Sequence, residues 1–378
     1  MNFLFPVTQQ QAGNIFDTNE ILNLANDAIH TPPPHITAHV AEYSQGGVHD
    51  FYSNGDFWWP NPSTPDGLPF VQRDGETNPG NFTAHRTVLR QMRTCVAHLA
   101  AAFGITGDEK YAVKAVSFLH TFFLNPATKM NPHLLYAQAI PGVCHGRGIG
   151  IIDTLHLVDV PVAIEKLKCS QAMTNEVYNG LQQWFADYLH WICTHPQGIE
   201  EMNHPNNHGI CWNVQAAMFA KFTGNQAIME LCRKRYKEVY LPEQMQPDGS
   251  FPKEIARTKP YNYSCFTADN MANICQILST EEDNLWEFSL PDGRGMKIAV
   301  EYIVPFIADI NTWPHHRDIQ YFEEFPAAFS FLLFAGLAYG KDEYLQLWAE
   351  LAKKPQGQEL RRNIAVRQAY NWVVVPCN

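Results

Sequence analysis

A chain of 378 residues with 46% hydrophobic and 12% aromatic side chains can bury a large core, which excludes disordered, collagen-like and disulfide-scaffold classes. Its formal net charge of −11, from 27 basic against 38 acidic residues, repels phosphate backbones and removes nucleic acid from the expected partners. No stretch approaches the roughly 18 apolar residues of a membrane span, and the longest apolar run is interrupted by Pro326 and Ser330, so a soluble chain with no membrane partner is expected.

Taken in chain order, the start Met1-Asn2-Phe3-Leu4-Phe5-Pro6 lacks the basic and apolar regions of a signal peptide. The expected location is therefore cytoplasmic, or periplasmic or secreted if a leader was removed. Helical spacing predicts a helix over 19–28. Residues 44–82 then combine Gly, Pro, Asn and Asp with Phe51, Tyr52, Phe57, Trp58 and Trp59, too aromatic for a linker. Ring faces stack on the C–H patches of sugars and planar polar groups bond their hydroxyls, so Asn54, Trp58, Trp59, Arg73 and Asn78 are candidate sugar contacts. The alternative is a loop that turns its aromatics inward over one end of the fold.

Around Gly107, apolar residues at helical spacing run up to a glycine able to take positive φ, a polar residue follows as N-cap, and amphipathic spacing resumes. This predicts a helical hairpin. The same design recurs around Gly224 and Gly340. Between the first two hairpins lie Gln138, the stretch Gly146-Arg147-Gly148, which lacks the spacing of a phosphate loop, and a predicted helix over 174–194. Gln138 and Arg147 join the candidate binding residues, as does His315 further on.

Residues 200–209, EEMNHPNNHG, crowd polar groups ahead of a helix expected near Ile210, where free N–H groups and the helix dipole favour an anion. His204 and His208 have the spacing of a metal pair, but Pro205 and two asparagines predict a loop, so no metal is expected. Residues 246–264 gather Arg257, Lys259, Tyr261 and Tyr263 within seven positions, a basic and phenolic cluster in an acidic protein; the bland reading pairs Arg257 with Glu254 and packs the tyrosines. Helices are predicted over 267–278 and 294–309. Several helices are apolar on all sides, as they are when neighbours pack them on two sides.

Period-two alternation is rare, so the expected fold class is all-α. It is an (α/α) toroid or incomplete barrel of helical hairpins, with long loops forming a substrate cleft and residues 1–378 as one domain. An irregular bundle or solenoid is the alternative. The nine cysteines, odd in number and without a C-x-x-C pair, read as buried thiols.

Four elements in order, SNGDFWWPNPSTPDGLPFVQRDGETNP (53–79), LNPATKMNPHLLYAQ (124–138), NNHG (206–209) and DGSFPKEIARTKPYNYS (248–264), resemble the alginate lyase superfamily of polysaccharide lyases. The likeness is to its alginate and glucuronan lyase branch with an (α/α) toroid, over residues 40 to 340. It implies a catalytic Asn–His pair at Asn207 and His208, an arginine at Arg257 and a tyrosine at Tyr263, with Tyr261 as the other option. Lys259 and Tyr261 also stand among the binding residues. The family is usually secreted or periplasmic.

The implied reaction is β-elimination at a 4-linked uronate: a proton leaves C5 and the glycosidic oxygen leaves C4, giving a 4,5-unsaturated uronate. The uronate carboxylate makes the C5 hydrogen barely acidic, so a donor such as Asn207 and a positive charge from His208 or Arg257 must offset the developing dianion. No cofactor is needed. A free phenol of pKa about 10 is ionised to roughly 0.1% at pH 7, a penalty near 4 kcal/mol, and one cation about 4 Å away at an effective dielectric of about 20 offsets a comparable amount. Arg257 beside Tyr263 thus brings a phenolate within reach. For the C5 epimer, neutral His208 would be the base and Tyr263 the acid. The implied partner is an anionic polysaccharide, a polyuronate.

Two other readings stand beside this one. One is a hydrolase using two carboxylates among Asp56, Asp74, Glu200, Glu201 and Asp269. The other is a non-catalytic sugar-binding protein using Trp58, Trp59 and Arg147.

Overall fold

The computed structural model describes residues 3–354 and 357–373. It is built of helices with short strands, the all-α class expected, and divides into two compact units: Asn19–Asn203, and Met1–Thr18 with His204–Asn378. Among the described residues no helix is long and apolar enough to cross a membrane.

In the Asn19–Asn203 unit the first hairpin pairs helix Ala84–Thr106 with Glu109–Leu119. Gly107 closes the first helix with φ 67°, a left-handed conformation that costs other residues about 1–2 kcal/mol, and its N–H donates to the Phe103 carbonyl. Asp108 then caps the second helix by accepting the Lys110 N–H. Helix Ala84–Thr106 packs against Asp159–Leu167 and buries Leu89, Met92, Val96 and Leu99. Each such aliphatic side chain contributes on the order of 2 kcal/mol. Arg93 is buried with them, and its guanidinium meets Asp159 at 3.4 Å and His156 at 3.1 Å. Helix Asn175–Thr194 starts where the capping residue Thr174 accepts the Val177 N–H. Two small sheets complete the unit: Tyr52–Asn54 runs parallel to Tyr136–Ala139, and Trp58–Trp59 pairs antiparallel with Val71–Gln72.

In the other unit, Asn207–Thr223 and Gln226–Arg235 form the hairpin closed by Gly224, and Ser330–Tyr339 and Asp342–Ala352 the one closed by Gly340. Between them, helix Pro260–Leu278 packs against Asn207–Thr223, Met296–Ala308 and Ser330–Tyr339. Enclosed on these sides, 18 of its 19 residues are buried; the exception is Tyr263.

Two boundaries differ from the sequence expectation, and both matter for chemistry. The helix expected near Ile210 starts at Asn207, because Asn206 caps it by accepting the His208 N–H at 3.1 Å. His208 therefore stands on a helical first turn, not on a loop. The helix expected over 267–278 starts at Pro260, whose fixed φ suits a first helical position. The orphan N–H groups of Tyr261 and Asn262 donate to the two carboxylate oxygens of Asp318 at 2.9 and 3.0 Å, a cap supplied from 56 or 57 positions away. Of the cysteines, Cys95, Cys211, Cys232, Cys265 and Cys275 are buried thiols as expected, Cys144 and Cys193 are half-buried, and Cys169 is exposed. Cys377 lies outside the described residues.

Candidate active site

The His204–Asn378 part of its unit brings Asn207, His208, Arg257 and Tyr263 into one neighbourhood. The connecting residue is Glu254, on the short helix Pro252–Ile255. Its side chain is buried and its two oxygens accept the backbone N–H of Asn207 at 2.9 Å and the Asn207 Nδ2 at 2.7 Å. The same turn continues to Arg257, whose N–H donates to the Glu254 carbonyl at 3.0 Å. The Arg257 guanidinium lies over the Tyr263 ring, 4.6 Å from its centre. On the other side, the rings of His204 and His208 stand 4.9 Å apart.

Electrostatics bind the group together. Burial pushes the Glu254 carboxyl above the usual range, opposed by the two Asn207 hydrogen bonds and by the charges of Arg257 and His208. Burial first, then the fields of His208 and Arg257, pull His204 below the ordinary imidazole range, although Asn206 bonds it in the opposite sense. The two enclosed helices of this unit have one opening each at their N-terminal turns: His208 and Tyr263 are half-buried while their helical neighbours are buried.

Tyr261 and Lys259, also expected at the site, face elsewhere. Two residues apart on a helix means opposite sides, and Tyr261 points into a cage of Trp313, Phe322 and Phe325, its hydroxyl donating to the Phe306 carbonyl at 3.3 Å. Burial drives that phenol far above its ordinary pKa. Lys259 is buried against Glu359 at 3.2 Å. Neither side chain is available to a ligand. His315 is half-buried, its Nε2 3.3 Å from the Tyr302 hydroxyl.

The Asn19–Asn203 unit carries the other expected sugar contacts. Trp58 and Trp59 are half-buried on their hairpin strand; the Arg73 guanidinium stacks 4.8 Å over Trp59 and that of Arg147 5.7 Å over Trp58. These two tryptophans present ring faces already matched with cations. Asn54 and Asn78 instead hold the backbone that presents them, and Gln138 holds the Arg147 guanidinium. Asn54 accepts the Phe82 N–H, Asn78 donates to the Trp58 carbonyl at 2.9 Å, and Gln138 takes the left-handed φ of 54° while its carbonyl accepts Arg147 Nε at 2.8 Å. Burial lowers the Arg147 pKa, opposed by Cys144, Asp153, Glu200 and Asp56.

The glycines around Arg147 have a steric reason. A Cβ on Gly146 would stand 2.0 Å from the Leu135 carbonyl oxygen, and one on Gly148 would stand 2.6 Å from that of Gln197. The neighbouring backbone approaches too closely for any side chain, and this rather than phosphate binding explains the motif.

Most of the carboxylates a hydrolase would need are committed elsewhere. Asp56 pairs with Arg86, and Glu200 accepts the Gly148 N–H at 3.3 Å. Glu201 and Asp269 are fully buried, with Asp269 accepting the Ser330 hydroxyl and the Phe331 N–H. Glu254 was the residue missed. Its local sequence suggests only an ion pair with Arg257, and no local signal announces a partner 47 positions away.

A family model described as Alginate lyase matches residues 35–313. Among solved structures, an alginate lyase from Bacteroides ovatus is 34% identical, with a TM-score of 0.82 over 94% of this chain and 92% of that one. Alginate lyase A1-III from Sphingomonas species A1 has the same fold at 11% identity, with a TM-score of 0.55 over 93% of each chain. A histidine-to-alanine variant of alginate lyase A1-III complexed with tetrasaccharide is 14% identical, with a TM-score of 0.54 over 89% of this chain and 95% of that one. No protein with a curated description matches. With most of its length matched by the family model and a relative of this identity aligned almost end to end, the chain belongs to the alginate lyase family and is a polysaccharide lyase.

Proposed function

We propose that the protein cleaves alginate by β-elimination, with Tyr263, His208, Arg257 and Asn207 as its catalytic residues. One observation carries this reading. Two adjacent, otherwise enclosed helices present a phenol and an imidazole at their first turns, with a carboxamide and a guanidinium linked to them through Glu254.

In this reading the uronate carboxylate lies against Asn207 and the N-terminal turn of the helix Asn207–Thr223. One Nδ2 hydrogen of Asn207 is held by Glu254, and the second donates to the substrate. The helix dipole and the positive charge of Arg257 favour the dianion that forms as C5 loses its proton. For mannuronate, the Tyr263 phenolate takes that proton; the C–H electron pair becomes the C4–C5 double bond and the C4–O bond breaks. The leaving oxygen then takes a proton from the Tyr263 hydroxyl. For the C5 epimer, His208 takes the proton and Tyr263 remains the acid. Trp58 and Trp59, stacked by cations, are the sugar-stacking candidates of the Asn19–Asn203 unit, considered by itself.

Tyr263 is assigned over Tyr261 because Tyr261 is caged and its hydroxyl committed. Incubation with mannuronate-rich alginate, guluronate-rich alginate and glucuronan, read by the absorbance of the conjugated alkene and by product mass, tests the reading. Unsaturated alginate fragments support it. Products heavier by one water mean hydrolysis, and intact polymer means binding without turnover; either refutes it.

A further inference from the structure

We propose that Glu254 is a positioning residue of the reaction: its carboxylate fixes which way the Asn207 carboxamide faces. This deepens the reading above and rests on it for the catalytic consequence, but not for the geometry. Glu254 divides its two oxygens between two donors of one residue, the backbone N–H and the side-chain Nδ2 of Asn207. An ionised carboxylate only accepts, so the atom 2.7 Å from Oε2 is the amide nitrogen. Without that constraint the terminal torsion of asparagine is broad and roughly two-fold, so before substrate arrives the amide oxygen would face its position as readily as the N–H, and substrate binding would have to turn it.

Capping the helix does not account for the arrangement. Asn206, next in sequence, already serves the first turn by accepting the His208 N–H. Glu254 comes from 47 positions away and belongs to a turn that grips the same segment again, with Lys253 Nζ donating to the Pro205 carbonyl at 2.9 Å. Three residues further on, that turn carries the guanidinium that stacks on Tyr263. One turn therefore sets the register between the Asn–His pair and the tyrosine. Burial raises the Glu254 carboxyl, and the two Asn207 hydrogen bonds oppose that shift, followed by the field of Arg257.

Glu254→Gln tests this with almost no change in volume. Glutamine has one acceptor oxygen where two donors must be met, so the Asn207 amide inverts to face the amino group of the new side chain. The expected results are a kcat on alginate lowered about 30-fold or more, a KM changed less than about threefold, and partial recovery in Glu254→Asp, which keeps two acceptors. Asn207→Ala should lose at least as much, and the double variant should be no worse than Asn207→Ala alone. Side-chain amide NMR of selectively labelled Asn207 should move in Glu254→Gln, with or without turnover. Glu254→Gln retaining kcat within twofold, multiplying with Asn207→Ala, or leaving the Asn207 amide signals in place would each overturn the proposal. A fully active Asn207→Ala would instead overturn the catalytic reading, and the NMR result would still decide the positioning.

Discussion

Removing the Arg257 guanidinium is the sharpest test of the phenolate argument. With the guanidinium 4.6 Å from the centre of the Tyr263 ring, an effective dielectric of about 20 gives about 3 kcal/mol in favour of the phenolate. Both groups are half-buried, so solvent screening brings the figure to about 2 kcal/mol, or about 1.5 pKa units. The sign follows directly: a cation favours the charged phenolate, so its loss raises the phenol pKa in the working enzyme. Arg257→Ala should therefore shift the alkaline-side rise of kcat on mannuronate-rich alginate upward by about 1.5 units and lower kcat near pH 7 about 30-fold. Part of the loss should be recovered as the pH is raised. Arg257→Lys should fall between, since an ammonium keeps the charge but not the planar stack. The assay is initial rate of alkene absorbance from about pH 6 to about pH 11, a range that extends past the reference phenol titration near 10. A uniform loss at every pH would mean that Arg257 binds substrate without tuning the tyrosine, and the phenolate argument would be refuted.

The two tyrosines should separate cleanly. Tyr263→Phe should lower kcat by about 10²–10⁴-fold with little change in melting temperature, whereas Tyr261→Phe, which gives up one buried hydrogen bond to Phe306, should cost about 1 kcal/mol of stability and little activity. The opposite pattern would move the acid to Tyr261. Gly146→Ala should destabilise the fold by about 1–3 kcal/mol because its Cβ meets the Leu135 carbonyl, while Gly13→Ala, whose Cβ meets nothing within 4 Å, should be neutral or stabilise by up to about 1 kcal/mol. Equal denaturation midpoints for these two variants would contradict the steric account of the glycines. Burial raises the Asp269 carboxyl from 3.8 to about 6, so the native state binds more protons than the unfolded chain in that window and loses stability as the pH rises through it. Asp269→Asn should thus gain on the parent protein from about pH 4 to about pH 8, by about 3 kcal/mol at most, in chemical denaturation; a pH-independent difference would show that Asp269 ionises normally.

The chain's own order already determined the hairpins, because their causes are local. Gly107, Gly224 and Gly340 end helices in positive φ, and Asp108 and Asn225 cap the next helices after the first two, all within a few residues. The enclosed helices were legible for the same reason: a segment apolar on every side has to be packed on every side. Asn207 and His208 were visible as polar groups crowded where a helix begins, and Arg257 as part of a basic and phenolic cluster in an acidic chain. What the tertiary structure decided depends on partners far away in sequence. Asp318, 56 and 57 positions on, starts the Pro260 helix seven residues earlier than its apolar pattern does, and those two extra turns point Tyr261 inward and leave Tyr263 half-buried. Glu254 gains its role only from Asn207, 47 positions back. Asn54, Asn78 and Gln138 look from composition like sugar contacts, yet Asn54 and Asn78 bond the loop backbone, and the Gln138 carboxamide donates to Asp153 and accepts from Arg147. Composition names the groups that can bond a ligand, and only the fold determines whether the backbone has claimed them first.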